Sequence, residues 1–110
     1  MISTKSASYL APAISGIVFA FDNDSSLPPV VTIENISAGA SVAIIFLESD
    51  NGSTWSPIVS TTNTVLPGAS VATVVTSTRR KLALQAGGGA QILATVQKQV
   101  NGSPIDLGAA

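Results

Sequence analysis

The stretch SVAIIFLESDNGSTWSPIVS, residues 41–60, is the part of the sequence that most clearly predicts how the chain folds. Its first half is apolar on both faces, which is typical of a central strand that is covered from both sides. Asp50, Asn51 and Gly52 then supply residue types that tolerate a left-handed backbone or bond their own main chain. The segment after this turn is predicted to return antiparallel, at an edge or with an interruption, because Pro57 cannot donate to a ladder.

The turn in this stretch contains Asp50, Gly52, Thr54 and Trp55 in the order D-x-G-x-T-W, which resembles the Asp-box hairpin of sialidase-type β-propellers. The pattern occurs once, and 110 residues are too few for a propeller, which needs several blades of four strands each. The resemblance therefore implies a structural hairpin without catalysis. Asp50 is expected to accept backbone N–H bonds inside the loop, and Trp55 is expected to cap the core.

Short apolar runs recur along the chain between clusters of Gly, Pro, Asn and Asp, and no segment keeps helical spacing for more than one turn. This pattern predicts an all-β fold, a single antiparallel β-sandwich or jelly roll of about seven to eight strands. We divide the chain into an N-terminal arm or edge strand (1–15), the β-sandwich (16–100) and a C-terminal tail (101–110). The predicted strands of the sandwich are 16–21, 30–36, 41–49, 54–60, 71–77, 82–86 and 90–100. Ile44 and Phe46 are expected in the core.

The composition argues against several classes of function. Cysteine and histidine are absent, which removes disulfides, thiolate metal sites and every His-based catalytic arrangement. Charged residues make up 10% of the chain, against roughly 25% in ordinary soluble domains, and the net charge is -1. We therefore expect no catalytic residue, no cofactor, no bound metal, and no nucleic-acid or membrane partner. A surface this poor in charge suits a protein covered by neighbours, or a secreted protein with a neutral polar surface.

The N-terminal residues do not have the pattern of a signal peptide. The segment before the A-x-A-like residues 11–13 is too short and too polar for an h-region. The apolar run 17–21 is far below the ~20 residues that span a bilayer. The start of the sequence is therefore expected to be mature chain.

Several segments have both a functional and a structural interpretation. The acidic loop 22–24 offers oxygen ligands that suit Ca²⁺, but Asp and Asn clusters usually form turns. The basic run 79–81 alternates faces at strand spacing, which favours a solvated strand end, with an ion pair between subunits as the alternative. The glycines at 87–89 favour a tight hairpin over a phosphate cradle. Tyr9 and Trp55 favour sealing of a core edge over a sugar-stacking platform.

The order of these features resembles a known group of proteins. SDNGSTW (49–55), VLPGASVATVV (65–75) and RRKLALQAGGGAQILATV (79–96) follow one another after a strong strand. This order resembles the small β-sandwich domains of tailed-phage virion proteins, over about residues 41–100. A β-sandwich of this size without catalytic residues is similar to their capsid decoration (cement) proteins.

The resemblance implies a structural virion protein on the outer surface of the capsid. Such a protein assembles with itself, usually as a trimer, and binds between major capsid proteins to stabilise the phage head. The residues that we expect at subunit contacts are Tyr9, Leu10, Arg79, Arg80, Ile105, Asp106 and Leu107. The alternative function is a carbohydrate-binding or host-recognition β-sandwich module, which would need an exposed aromatic platform.

Overall fold

The computed structural model of the chain describes residues 2–14, 16–23 and 27–99. They form two four-stranded antiparallel sheets, as the all-β expectation requires. The strands are β1 Ile2–Leu10, β2 Gly16–Asp22, β3 Val30–Asn35, β4 Val42–Ser49, β5 Ser56–Val65, β6 Ser70–Val74, β7 Lys81–Gly87 and β8 Gln91–Gln99. Among these described residues there is no helix that is long and apolar enough to cross a membrane.

The strand order is that of a jelly roll. One sheet has the order β1-β8-β3-β6 and the other the order β2-β7-β4-β5. The antiparallel pairs are therefore nested, with β4–β5 innermost in the sequence, then β3–β6, β2–β7 and β1–β8. The chain is in effect one long hairpin that is folded over into two layers. The stretch 41–60 forms its tip, which is why this stretch is so informative about the fold.

The core lies between the sheets and is built from alternating residues, as the sequence pattern predicts. Ile44 and Phe46 of β4 are 2% and 0% exposed, so their predicted core position is confirmed. β4 also lies inside its sheet, between β7 and β5. The expectation that it is covered on both faces is wrong, because Ala43 on the outer face is exposed and Ile45 is only half-buried.

The return strand β5 lies at a sheet edge, as Pro57 predicts. Pro57 itself pairs with Leu47, and the ladder is interrupted further along the strand. Ile44 pairs with Asn63, but Phe46 pairs with Ile58, so several residues of β5 bulge out of the ladder. The hydroxyl of Thr61 compensates for the lost pairing. Its Oγ1 accepts a hydrogen bond from the Phe46 amide at 2.8 Å and donates one to the Ile58 carbonyl at 2.6 Å.

The N-terminal segment is an edge strand of the sandwich. β1 pairs with β8 in a regular register from Ile2 opposite Gln99 to Leu10 opposite Gln91. Residues 2–10 therefore belong to the first sheet and do not form a separate arm. The predicted tail at 101–110 lies outside the described residues.

The turns after β1, β3, β5 and β7 meet at one end of the sandwich and are tied together by hydrogen bonds. The Gly88 and Gly89 amides donate to the Pro12 carbonyl at 2.9 and 3.1 Å. Asn35, which is 0% exposed, donates from Nδ2 to the carbonyls of Ala40 and Val65 at 2.7 and 3.0 Å. These bonds fix the relative positions of four loops that are far apart in the sequence.

Candidate functional site

The two ends of the sandwich have different chemistry, and most of the described charged side chains lie at one of them. This charged end is formed by the turns after β2, β4 and β6. Arg79 Nη1 lies 2.5 Å from Asp50 Oδ2, and Arg79 Nε lies 3.7 Å from Glu48 Oε2. Lys81 Nζ lies 2.8 Å from Asp22 Oδ1. Two members of the basic run therefore pair with carboxylates of the same chain.

Hydrogen bonding changes the acidity of two of these groups. The hydrogen bond from Lys81 lowers the pKa of Asp22, and the hydrogen bond to Asp50 raises the pKa of Arg79. Both pairs are solvent-exposed, so each adds little to stability. Asn23 also links the turn after β2 to the turn after β6. Its Nδ2 donates to the Ser77 and Arg79 carbonyls at 2.8 Å each.

The β4–β5 turn has the predicted hairpin shape, but its internal hydrogen bonds are not those predicted. Asp50 was expected to accept backbone N–H bonds within the loop, and this is wrong because its carboxylate faces Arg79. Asn51 Oδ1 instead accepts from the Ser53 and Thr54 amides at 2.8 and 2.9 Å. The Gly52 amide donates to the Ser49 hydroxyl at 2.9 Å. Gly52 has a φ of 75°, a left-handed conformation that glycine adopts without strain.

The two aromatic residues that could make a sugar platform lie at opposite ends of the sandwich. Tyr9 pairs with Ile92 near the β7–β8 turn, and its ring stacks on Phe19 with centroids 5.1 Å apart. Trp55 immediately precedes β5, beside the charged end. The expected core position of Trp55 is wrong, because the residue is only half-buried and is not among those packed against the core.

The depressions described at the charged end are open to solvent. One depression of 170 Å³ is lined by residues that include Asp50 and Arg79, and its volume is below the ~300–1,000 Å³ of usual ligand pockets. A shallow depression of 570 Å³ beside it is lined by residues that include Arg80 and Lys81. Within the described residues, no group of three or more Asp and Glu side chains is placed to hold a metal ion. Of the candidate Ca²⁺ loop 22–24, residue 24 lies outside the described part.

The opposite end is apolar, and sequence reasoning missed most of it. Leu10, Ile14, Ile36 and Leu66 are 69%, 81%, 48% and 62% exposed there, in or beside the turns after β1, β3 and β5. None of the four turns at this end contains Lys, Arg, Asp or Glu. We call this surface the apolar end. The signal was present in the sequence, since large apolar residues stood in predicted turns where polar ones are usual.

A third surface is one flank of the sandwich, formed by β5, β6 and the turn between them. From Asn51 to Thr78 the sequence contains no Lys, Arg, Asp or Glu. Two valines are exposed on these strands, Val59 at 74% and Val74 at 58%. We call this surface the charge-free flank. This flank contains one edge of each sheet, because β5 and β6 are both edge strands.

The structure distributes the predicted contact residues over several surfaces. Leu10 belongs to the apolar end, Arg80 is exposed at the charged end, Tyr9 stacks on Phe19 and Arg79 is ion-paired within the chain. Ile105, Asp106 and Leu107 lie outside the described part of the chain. Their role in subunit contacts stays a prediction.

Comparison with known proteins identifies the fold. No family model and no curated protein matches the chain. A structure of Bacillus endospore appendages, described as a novel family of disulfide-linked pili, matches with a TM-score of 0.60 at 19% identity, over 92% of this chain and 88% of that one. A crystal structure of PirA matches with a TM-score of 0.56 at 11% identity, over 87% and 93%. The Yersinia pseudotuberculosis-derived mitogen has a TM-score of 0.48 at 8% identity, over 96% and 94%. At 19% and 11% identity, the first two matches show a shared fold only.

Proposed function

We propose that the chain is a structural protein without catalytic activity, whose copies assemble with one another. The observation that carries this proposal is the charge-free flank, where two sheet edges and the turn between them have no charged residue from Asn51 to Thr78. A protein that stays alone in solution usually protects its sheet edges and surface with charge. A flank of Ser, Thr, Ala and Val can instead be covered by a neighbour without desolvating a charge.

The apolar end supports the same function from a different part of the molecule. Four large apolar side chains, of which Ile14 is 81% exposed, gather at one end without a charged residue in the adjoining turns. Contiguous exposed apolar patches with a polar surround are typical of protein contacts. A subunit with two such surfaces can contact more than one neighbour at a time.

The likeness to endospore appendages agrees with a role in assembly, although the linkage must differ. Those pili are described as disulfide-linked, and this chain has no cysteine. Any assembly that it forms is therefore held without disulfides. We expect it to be unaffected by reducing agents.

A narrower proposal concerns where the assembly is found. The order of motifs between about residues 41 and 100 supports a capsid decoration protein on the outer surface of a phage virion, which binds the major capsid protein. The expected product of that function is a trimer of the isolated chain. A pilus-like subunit would form a longer polymer, so the size of the assembly separates the two.

The first experiment is native mass spectrometry of the purified chain over a dilution series, with electron microscopy of the most concentrated sample. A species heavier than the 11.0 kDa monomer that survives dilution would support assembly. A trimer would support the virion proposal, and a filament would contradict it. A chain that is monomeric at every concentration, with no particles, would contradict the proposed function.

A matched pair of variants identifies the surface that is used. Replacing Leu10 and Ile14 by serine removes two side chains of the apolar end that are 69% and 81% exposed. The control is Leu27→Ser, which changes a side chain of similar exposure, 61%, in the turn after β2 at the charged end, outside both proposed contacts. If the apolar end is a contact, the double variant weakens assembly more than the control does. Equal effects would remove the apolar end from the proposal.

A further inference from the structure

The four sheet edges of the sandwich differ in how well they are protected against pairing with another strand. On β1, Lys5 lies opposite the buried Val96 and hence on the core-facing side of the edge, which is a common way to block an added strand. β2 has a bulge between Ile17 and Phe19. β5 has both Pro57 and a bulge. Each of these three edges therefore carries a feature that opposes pairing.

β6 has none of these features. Its five residues, SVATV, include no charge and no proline, and it pairs with β3 in an unbroken register from Ser70 to Val74. No other strand of the described residues pairs with it. An uncharged edge with an unbroken register can accept another strand by hydrogen bonding of the main chain.

The hydrogen-bond pattern shows which groups of β6 face outward. The Val75 amide donates to the Pro29 carbonyl on the β3 side at 2.9 Å. In an antiparallel ladder, residues two apart bond to the same neighbour. Thr73 therefore bonds to β3, and the N–H and C=O groups of Ser70, Ala72 and Val74 face away from the sheet. These three residues are also exposed.

We propose that β6 pairs antiparallel with β6 of a second copy, about a two-fold axis that passes beside Ala72. Ala72 then lies opposite Ala72 of the second copy, and Ser70 lies opposite Val74. Each of these is the kind of pair that exchanges both of its N–H···O bonds, so every outward group of the three residues is satisfied. The sheet β1-β8-β3-β6 of one copy then continues into the same sheet of the other copy.

The second copy is favoured as the partner because the other edges are protected. Among the described edge strands, only β6 lacks an inward-facing Lys, a Pro and a bulge. The strand best able to pair with β6 is therefore β6 of another copy. Pairing about a two-fold axis is also the commonest arrangement of protein dimers. No like charges meet, since neither β6 nor the turn before it is charged. This inference rests on the proposed function, in which copies of the chain assemble, and its two-fold pair is an alternative to the trimer of the narrower virion proposal.

Charge exchange at Ala72 tests the pairing and its register. Ala72 is exposed, so Ala72→Lys and Ala72→Glu should each fold as the unmodified chain does. Each variant alone places two like charges directly opposite one another, and dimerisation should weaken about five-fold or more. An equimolar mixture places Lys opposite Glu, and dimers should return as mixed pairs. Ala72→Val, which adds bulk without charge, is the control and should still dimerise.

Ala72→Pro tests the main-chain bonds. The Ala72 amide faces away from β3, so proline removes two bonds across the two-fold axis and none within the sandwich. The loss of these two bonds should weaken dimerisation about thirty-fold, which corresponds to about 2 kcal/mol. Native mass spectrometry measures the mass of the assemblies, and circular dichroism shows whether each variant is folded.

The outcomes separate the inference from the proposed function. Mixed pairs that form only from the Lys and Glu variants together would support pairing of β6 with β6. Assembly that none of the Ala72 changes alters would overturn this pairing and leave the proposed function standing. A chain that never assembles would overturn both. Loss of assembly in each single variant without recovery in the mixture would show that β6 pairs with a different edge, and would also overturn the two-fold register.

Discussion

Three glycines provide a graded test of how closely the turns of the apolar end approach one another. A Cβ at Gly39 or at Gly68 would meet nothing within 4 Å, but Gly68 has a φ of 79°. A Cβ at Gly88, where φ is 128°, would lie 2.3 Å from the Ser41 carbonyl oxygen. Replacing each glycine by alanine therefore makes the same chemical change in three environments: open space, backbone strain alone, and strain with a backbone clash.

The expected effects follow in that order. Gly39→Ala should stabilise the protein by about 0.5 kcal/mol, because it reduces the entropy of the unfolded chain. Gly68→Ala should cost about 1 kcal/mol, since an alanine is forced into a left-handed conformation. Gly88→Ala should cost at least about 3 kcal/mol. Strain accounts for about 1–3 kcal/mol, and the Ser41 backbone must move, which disturbs the bonds from the β7–β8 turn to Pro12.

Urea unfolding of the three variants measures these differences as changes in the midpoint at an unchanged m-value. Thermal unfolding should follow, at about 4–8 °C per kcal/mol for a domain of this size. If Gly88→Ala costs no more than Gly68→Ala, the Gly88 backbone does not approach Ser41 closely, and the fixed packing of these turns is refuted. In that case the apolar end is not a rigid surface.

Three further predictions concern single side chains. Asn35→Ala should cost about 2–4 kcal/mol in urea unfolding, because it removes two hydrogen bonds that a fully buried side chain donates to the carbonyls of Ala40 and Val65. A loss below 1 kcal/mol would contradict this. Trp55→Ala should cost about 1 kcal/mol and Phe46→Ala about 3–5 kcal/mol, because only Phe46 is fully buried; equal losses would return Trp55 to the core. Lys81→Met should raise the pKa of Asp22, which Lys81 now lowers, as followed by NMR titration of the carboxyl group. A carboxyl group with a lowered pKa stabilises the fold above its unfolded pKa and loses this effect as the pH falls through its folded pKa. The variant should therefore be less stable near neutral pH by under about 1 kcal/mol and equally stable in strong acid; the same loss at both pH values would be inconsistent with the ion pair.

The sequence predicts the parts of the fold that depend on neighbouring residues. The β4–β5 hairpin and the burial of Ile44 and Phe46 follow from local turn chemistry and alternation. The partners of Thr61, Asn35 and Arg79 do not follow, because each contacts a group that is at least 15 residues away in the chain. Composition predicts that β6 ends at residue 77, but the strand stops at Val74.

The sites follow the same division. Leu10 was identified as a contact residue from its place near a chain terminus, but Ile14, Ile36 and Leu66 join it only because the jelly roll brings their turns together. The open edge of β6 is also a property of the topology. The sequence shows that SVATV is uncharged, but strand order alone decides whether an uncharged strand lies inside a sheet or at its edge.

Pairing through β6 has a geometric consequence for the apolar ends. β6 begins beside the apolar end, after the turn that contains Leu66, and runs toward the charged end. In an antiparallel pair of β6 strands the two copies therefore point in opposite directions, and a dimer carries one apolar end at each of its extremities. An apolar end is best covered by another of the same kind, because both bury apolar surface and neither desolvates a charge. Two different self-complementary contacts on one subunit can link dimers into an open chain, whereas either contact alone stops at a closed pair. A polymer linked in this way requires both contacts.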